Sequence, residues 1–252
     1  MKKIALITGA TSGIGKATAL KFAENNYDII ITGRRTEKLE ELASEIEKTS
    51  NSKVLQLCFD VRNKQEVEDS LQSIPENWKK INVLVNNAGL AVGLNTIQEG
   101  EVDDWERMID TNVKGLLYVS RTILPMMIEN GFGHVINIGS IAGKEAYANG
   151  NVYCATKFAV DALTKTMRID VLKHGIKVTA IHPGAVETEF SLVRFKGNAE
   201  IAKNVYNGFT PLKGEDVADA VFYAANLPLH VNINEIVIMP TAQASTGYFH
   251  KV

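Results

Sequence analysis

The stretch Lys3-Ile4-Ala5-Leu6-Ile7-Thr8-Gly9-Ala10-Thr11-Ser12-Gly13-Ile14-Gly15 decides the fold class. Residues 3 to 7 form a short apolar run of strand length. A helical pattern follows, in which Ile14, Ala17, Phe22 and Ala23 share a face until Asn25-Asn26 ends it. The order is strand, glycine-rich turn, helix. Glycine permits the tight turn and lets a phosphate approach the main chain closely. The helix N-terminus adds free N–H groups and a positive dipole end for an anion. The spacing is G-x-x-x-G-x-G, which differs from the G-x-G-x-x-G of most dinucleotide-binding turns. Gly9, Ala10, Thr11, Ser12, Gly13, Ile14 and Gly15 are therefore candidates for holding a pyrophosphate, against the plainer reading of a structural turn.

The same alternation continues outward. Residues 28 to 32 read as a second strand, ending at Gly33-Arg34-Arg35. A protein selecting NAD places a carboxylate near this point for the ribose 2′-hydroxyl. Here two guanidiniums follow the strand instead, and arginine forks bind phosphate bidentately. Arg34 and Arg35 thus point to the 2′-phosphate of NADP. Thr36 is positioned to cap the next helix, whose apolar face is Leu39, Leu42, Ala43 and Ile46. Residues 53 to 59 read as a third strand, followed by Asp60-Val61. Asn63 and Glu66 resemble a capping box for a helix lined by Val67, Leu71 and Ile74, which Pro75 ends.

Residues 81 to 85 read as a fourth strand, followed by Asn86-Asn87-Ala88-Gly89, whose small side chains let a flat ring lie near the backbone. The spacing predicts a long helix from about Val102 to Ile128, with Trp105, Met108, Ile109, Val113, Leu116 and Leu117 toward the core. Asn112, a poor helix former, lies inside it. Strands are expected at 134–138, 177–181 and 235–239, and helices up to about His174 and over 216–225. The polar, irregular stretch 187–214 is expected to be a substrate lid. Strands alternating with helices predict an α/β, Rossmann-type doubly wound parallel sheet of about seven strands in a single domain over 1–252. In such sheets ligands bind outside the strand C-terminal ends. Gly9, Arg34, Asp60, Asn87, Ser140 and Pro183 all lie just past strand ends and converge on one sheet edge.

Tyr153 and Lys157 lie four residues apart on a helix and so share one face. A free tyrosine has a pKa of about 10 and a nearby cation lowers it. Bringing it to about 7 takes roughly 4 kcal/mol of differential stabilisation. Alone, the pair is a weak signal, and two packing or solvated residues are the plainer reading.

Totals narrow the class. With 252 residues, 45% hydrophobic and 22% charged, the chain can bury a sizeable core. A net charge of −2 gives no field directed at nucleic acid or an anionic membrane. Cys58 and Cys154 have no metal-ligand spacing and fit a reducing compartment. The apolar run after Met1-Lys2-Lys3 is too short for a secretion signal, and no apolar stretch approaches a membrane span. A cytoplasmic protein without nucleic-acid or membrane partners is expected.

Taken together, Thr8-Gly9-x-x-x-Gly13-x-Gly15, Asn86-Asn87-Ala88-Gly89, Ser140, Tyr153-x-x-x-Lys157 and Pro183-Gly184 resemble the short-chain dehydrogenase/reductase superfamily over nearly the whole chain. Ser140 stands thirteen residues before Tyr153, the spacing typical of that family. Asn87-Ala88-Gly89-Leu90-Ala91, Asp104-Trp105-Glu106, Gly150-Asn151-Val152-Tyr153 and Glu189-Phe190-Ser191 with Val193-Arg194-Phe195-Lys196-Gly197 look like the NADP-dependent 3-hydroxy acid dehydrogenases within it.

The resemblance implies NADP(H) as cofactor and a homotetramer. It makes Tyr153 the general acid/base, Lys157 the group that lowers its pKa and holds the nicotinamide ribose, and Ser140 the donor that orients the reacting oxygen. Asn112 would hold a water of the proton relay. Gly9 to Ile14 would cradle the pyrophosphate, Asp60-Val61 meet the adenine and Asn87 the adenosine ribose, with Ala88 and Gly89 also against the cofactor. Pro183, Gly184, Val186, Thr188 and Phe190 would cover the nicotinamide, with Thr188 on its carboxamide. Arg194, a fixed cation among Phe190, Val193 and Phe195, is the expected partner of a substrate carboxylate. Serine, allo-threonine, 3-hydroxypropionate and their oxidised forms are the implied substrates. Two other readings stay open: a carbonyl reductase of neutral ketones or diketones, and a non-catalytic NADPH-binding regulator on the same fold.

Overall fold

A computed structural model describes residues 2–252. Seven strands form one parallel sheet in the order β3-β2-β1-β4-β5-β6-β7. They are β1 (Lys3–Ile7), β2 (Tyr27–Gly33), β3 (Val54–Cys58), β4 (Ile81–Asn86), β5 (His134–Ile138), β6 (Lys177–Pro183) and β7 (Glu235–Ile238). The order reverses beside β1, where β2 pairs on one side and β4 on the other. That is the switch point at which a doubly wound sheet opens a crevice.

Both faces of the sheet are covered, and the alternation of side chains along each strand assigns them. Ile4, Leu6, Leu84, Val135 and Val178 face one layer. There they meet helices α3 (Lys64–Gln72), α5 (Leu116–Asn130) and α6 (Asn151–Asp170) through Val67, Leu71, Ile123, Met127 and Val160. Ala5, Ile7, Ile29, Ile31, Val83, Val85 and Ile136 face the other layer. It is formed by α1 (Gly13–Glu24), α2 (Thr36–Thr49) and α9 (Gly214–Ala225), through Phe22, Leu39, Leu42, Ile46, Val217 and Val221. Each fully buried aliphatic or aromatic side chain of this kind contributes about 1.5–3 kcal/mol. Near-continuous apolar runs such as Ile29-Ile30-Ile31 are what a strand buried on both faces requires.

The expected long helix is continuous from Val102 but changes pitch. α4 (Val102–Ile109) passes through a wider π-helical segment at Asp110–Gly115 before α5 begins. Asn112 lies in that segment, so its poor helix propensity marks a real irregularity. On either side of the π segment the exposed face differs from the expected one: Ile109 before it and Leu117 after it, both expected in the core, are each 40% exposed. Other local expectations shift as well. Arg35 rather than Thr36 occupies the cap of α2, and the Thr36 hydroxyl lies 3.2 Å from Cys58 Sγ. Asn63 does cap α3, accepting from the Gln65 and Glu66 N–H groups. Glu66 reaches back to the Asp60 N–H at 3.0 Å instead of to Asn63 N–H, so the box is not reciprocal. The stretch 187–214 is not wholly irregular: it contains α7 (Glu189–Arg194) and α8 (Ala199–Asn204). No helix among the described residues is long and apolar enough to cross a membrane.

Candidate active site

The strand ends and the segment 187–214 enclose a cleft of about 570 Å³ at the C-terminal edge of the sheet. Its floor is the turn after β1. Gly9 and Gly13 have φ of +64° and +53°, the left-handed region where glycine carries no Cβ penalty. Space is as restrictive as torsion, since a Cβ on Gly9 would stand 2.9 Å from Ala88 Cα. Asn87 ties this floor to β4: its Nδ2 donates to Thr8 O at 2.9 Å and to Gly9 O at 3.0 Å. The Thr8 hydroxyl accepts from the N–H groups of Asn87 and Ala88, each at 3.0 Å. A narrow main-chain cradle at a helix N-terminus is what a pyrophosphate needs.

Most of the expected residues line this one cleft. Gly9, Thr11, Ser12, Gly13, Ile14, Arg34, Arg35, Asp60, Val61, Asn87, Ala88, Gly89, Ser140, Tyr153, Lys157, Pro183, Gly184, Val186, Thr188, Phe190 and Arg194 all do. Three do not. Ala10 is fully buried, and its N–H donates to Thr32 O at 2.9 Å. Gly15 lies behind the turn, where a Cβ would stand 2.3 Å from Gly9 O. Asn112 is also behind the wall. Its Nδ2 donates to Leu90 O at 2.8 Å and to Thr156 Oγ1 at 3.0 Å, and its Oδ1 accepts from Leu90 N at 2.8 Å. That amide is engaged with protein and clips the loop after β4 onto α6.

Among the arginines, Arg34 Nη1 is 3.5 Å from Asp60 Oδ2. Arg35 donates to Thr11 Oγ1 at 2.9 Å and to Glu189 Oε2 at 3.1 Å. Arg62 was not foreseen: its Nη2 lies 2.6 Å from Asp60 Oδ2. Burial acts to raise the Asp60 carboxyl, but the Arg62 hydrogen bonds and the charges of Arg62 and Arg34 outweigh it and hold it below the ordinary range.

At the other end stand the charged and hydroxylic groups. Tyr153 is 8% exposed, and Lys157 Nζ is 6.0 Å from its ring centroid. Lys157 donates to Ile138 O at 2.9 Å. Its burial lowers its own pKa to about 8. Burial likewise pushes the Tyr153 phenol up, well above its ordinary value. The Ser140 hydroxyl and the Arg194 charge oppose this, while Tyr147 adds to it. The expectation that Lys157 brings the phenol down is thus not met by the protein's own groups, because desolvation of a buried phenol dominates and the ammonium stands a full turn away. Ser140 accepts from Ala142 N at 3.1 Å, which turns its hydroxyl at the end of β5.

Arg194, the last residue of α7, places its guanidinium carbon 5.6 Å from the Tyr153 centroid and 5.4 Å from that of Tyr147. It donates to the Tyr147 hydroxyl, while its buried Nε has no hydrogen-bond partner among the described residues. Phe190 packs on Tyr153 at 5.7 Å between centroids. Tyr147 also went unforeseen: the only sequence signal was an aromatic residue in the loop between Ser140 and Tyr153. Behind Ser140, His182 Nδ1 lies 3.2 Å from Ser140 O. Beyond it, Lys144 sits between Asp161 Oδ1 at 2.9 Å and Glu235 Oε2 at 2.5 Å.

The family model for short chain dehydrogenase matches residues 3–198. The chain belongs to that family. It is accordingly an oxidoreductase, and its cleft stands at the same sheet edge as the family's motif residues in this sequence. The chain is 48% identical over 245 residues to the NADP-dependent 3-hydroxy acid dehydrogenase of Salmonella typhi, covering 97% of each. It is 43% identical over 249 residues to sulfoacetaldehyde reductase 2 of Chromohalobacter salexigens, covering 98% of each. Among solved structures it resembles the closed form of a serine dehydrogenase complexed with NADP+, with a TM-score of 0.92, 46% identity and 99% coverage of both chains.

Proposed function

We propose that this dehydrogenase is NADP-dependent and interconverts small 3-hydroxy acids, such as serine, allo-threonine or 3-hydroxypropionate, with their keto or semialdehyde forms. The observation that carries the substrate reading is Arg194, held over Tyr153 by Tyr147 with its Nε unpartnered in the cleft wall. A cation at that place suits an anion borne a short carbon chain away from the reacting oxygen. The relatives' names agree in one respect: serine, 3-hydroxy acids and sulfoacetaldehyde all carry an acidic group.

For the cofactor, the main-chain cradle at Gly9 to Ile14 fits a pyrophosphate, and Arg34 and Arg35 at its mouth fit a 2′-phosphate. No carboxylate stands directly at the β2 end to favour a free 2′-hydroxyl. When bound, NADP supplies the hydride acceptor and NADPH the donor. The chain's own groups place and polarise. Tyr153 stands where it gives a proton to the substrate oxygen in reduction and takes it back in oxidation, and Ser140 orients that oxygen. Lys157 holds the nicotinamide ribose and keeps a positive charge beneath the phenol up to about pH 8. The Asn112 side chain positions the loop carrying Leu90, and holding a water of the proton relay falls to its remaining groups. Phe190, Val193 and the rest of 187–214 act as a lid that excludes water. General acid–base help of this kind is worth about 10²–10⁴-fold.

We also place the enzyme in the cytoplasm as a homotetramer within one domain fold. Exposed apolar side chains on α6 and on the α9 and β7 side, among them Phe158, Tyr223 and Val237, are available to bury between copies.

The deciding experiment follows formation of the reduced nucleotide with NADP, then NAD, on L-serine, L-allo-threonine and 3-hydroxypropionate, with isethionate as the sulfonate and matched methyl esters as controls lacking the carboxylate. The mass in solution of the same preparation checks the tetramer. Expected is turnover with NADP on the acids and little on the esters. Equal turnover of esters, or reduction of neutral diketones alone, moves the enzyme to the carbonyl reductase reading. Nucleotide binding with no turnover moves it to the regulator.

A further inference from the structure

Helix α7 carries opposite charges at its two ends. Arg194, its last residue, faces Tyr153. Glu189, its first, turns away from the substrate side and crosses the mouth of the cleft to Arg35. Glu189 Oε2 accepts from both Nη1 and Nη2 of Arg35, each at 3.1 Å. That paired edge of the guanidinium is the one a phosphate would take bidentately. The same Nη2 is steadied from the turn side by Thr11 Oγ1 at 2.9 Å. The side chains of Arg35 and Glu189 are 45% and 50% exposed, so water screens their attraction and the pair exchanges readily. A phosphate monoester carries about −1.5 to −2 charge at neutral pH, which repels a carboxylate beside it.

We propose that Glu189 is a specificity-determining residue. Its carboxylate and the 2′-phosphate of NADP compete for one edge of Arg35, so that Arg35 gives up the first turn of the lid when it takes the phosphate. The inference rests on the NADP reading above. It makes α7 a coupling element, with the cofactor's extra phosphate sensed at Glu189 and the acid substrate met at Arg194. A nucleotide without that phosphate leaves the Arg35–Glu189 pair in place. The competition therefore weakens NADPH binding selectively.

The test is equilibrium binding of NADPH and NADH, read by nicotinamide fluorescence without substrate, to the full-length wild type, Glu189→Gln, Arg35→Leu and the double variant. Glu189→Gln is expected to lower the Kd for NADPH about two- to fivefold, the scale of an exposed ion pair. It should leave NADH unchanged and have no effect in the Arg35→Leu background. An unchanged or raised Kd for NADPH in Glu189→Gln overturns the competition, because Glu189 then steadies Arg35 or plays no part. Equal affinity of the wild type for NADPH and NADH overturns the cofactor reading itself, a separate and recognisable failure.

Discussion

The floor of the cleft and its cover are built by different means. The floor, residues 9 to 15, presents main-chain groups clamped by the Asn87 amide and glycines whose Cβ positions are already occupied. The cover, residues 187–214, has main-chain ties at its far end, from Leu212 N to Ala185 O at 3.0 Å and from Val252 N to Gly208 O at 2.9 Å, but over the cleft it is held largely by side chains. Tyr206 donates to Val186 O at 2.8 Å and lies 2.7 Å from Ser191 Oγ, Lys196 is 2.8 Å from Asp104, and Glu189 meets Arg35. Gly93 N to Arg194 O at 3.0 Å is its main-chain tie to the loop after β4. A surface made of backbone tolerates almost no change. One made of exposed pairs can separate and re-form at little cost.

The largest effect tests the floor. In Gly15→Ala the new Cβ would stand 2.3 Å from Gly9 O and 2.4 Å from Asn87 Nδ2, so the turn itself must shift. NADPH affinity should fall by about 100-fold or more, with a loss of about 1–3 kcal/mol in chemical denaturation. Retained nucleotide affinity would break the distinction between a rigid floor and a movable cover. The next effect belongs to the cover. Arg194→Leu should raise the KM for a 3-hydroxy acid about ten- to hundredfold, the scale of one charge-assisted hydrogen bond, with NADPH binding unaltered. An unchanged KM would remove Arg194 from the substrate site.

A third test sharpens the contrast through pH. Lys157 lies on the fixed side, and burial lowers its pKa from 10.5 to about 8. Between those values the unfolded chain binds the proton that the folded chain has released, so stability rises with pH in that window. Denaturation across it should show wild type gaining on Lys157→Met by at most about 1.4 kcal/mol per pH unit. A flat difference would place the ammonium in water rather than in the wall.

The tyrosine shows where reading from spacing stops. Four residues on a helix put Tyr153 and Lys157 on one face, and both do line the cleft. Which effect governs the phenol depends on how dry the site is, and Tyr153 is 8% exposed. Burial therefore outweighs the neighbouring ammonium. Asn112 teaches the same point from the other direction. Its poor helix propensity flagged an irregularity that is present, but only packing reveals that its amide is spent on Leu90 and Thr156.

By itself the sequence determined the alternation of strands and helices, the turn that cradles phosphate, and the arginines after β2. Each rests on a local cause: side-chain period, a missing Cβ, or a charge beside a strand end. Only the tertiary structure decided that Glu189 meets Arg35 across 154 residues of chain and that Tyr147 holds Arg194 across 47. It alone turned Gly15, Ala10 and Asn112 away from the cleft. Those are contacts and exposures set by how distant segments pack, and no periodicity along the chain records them.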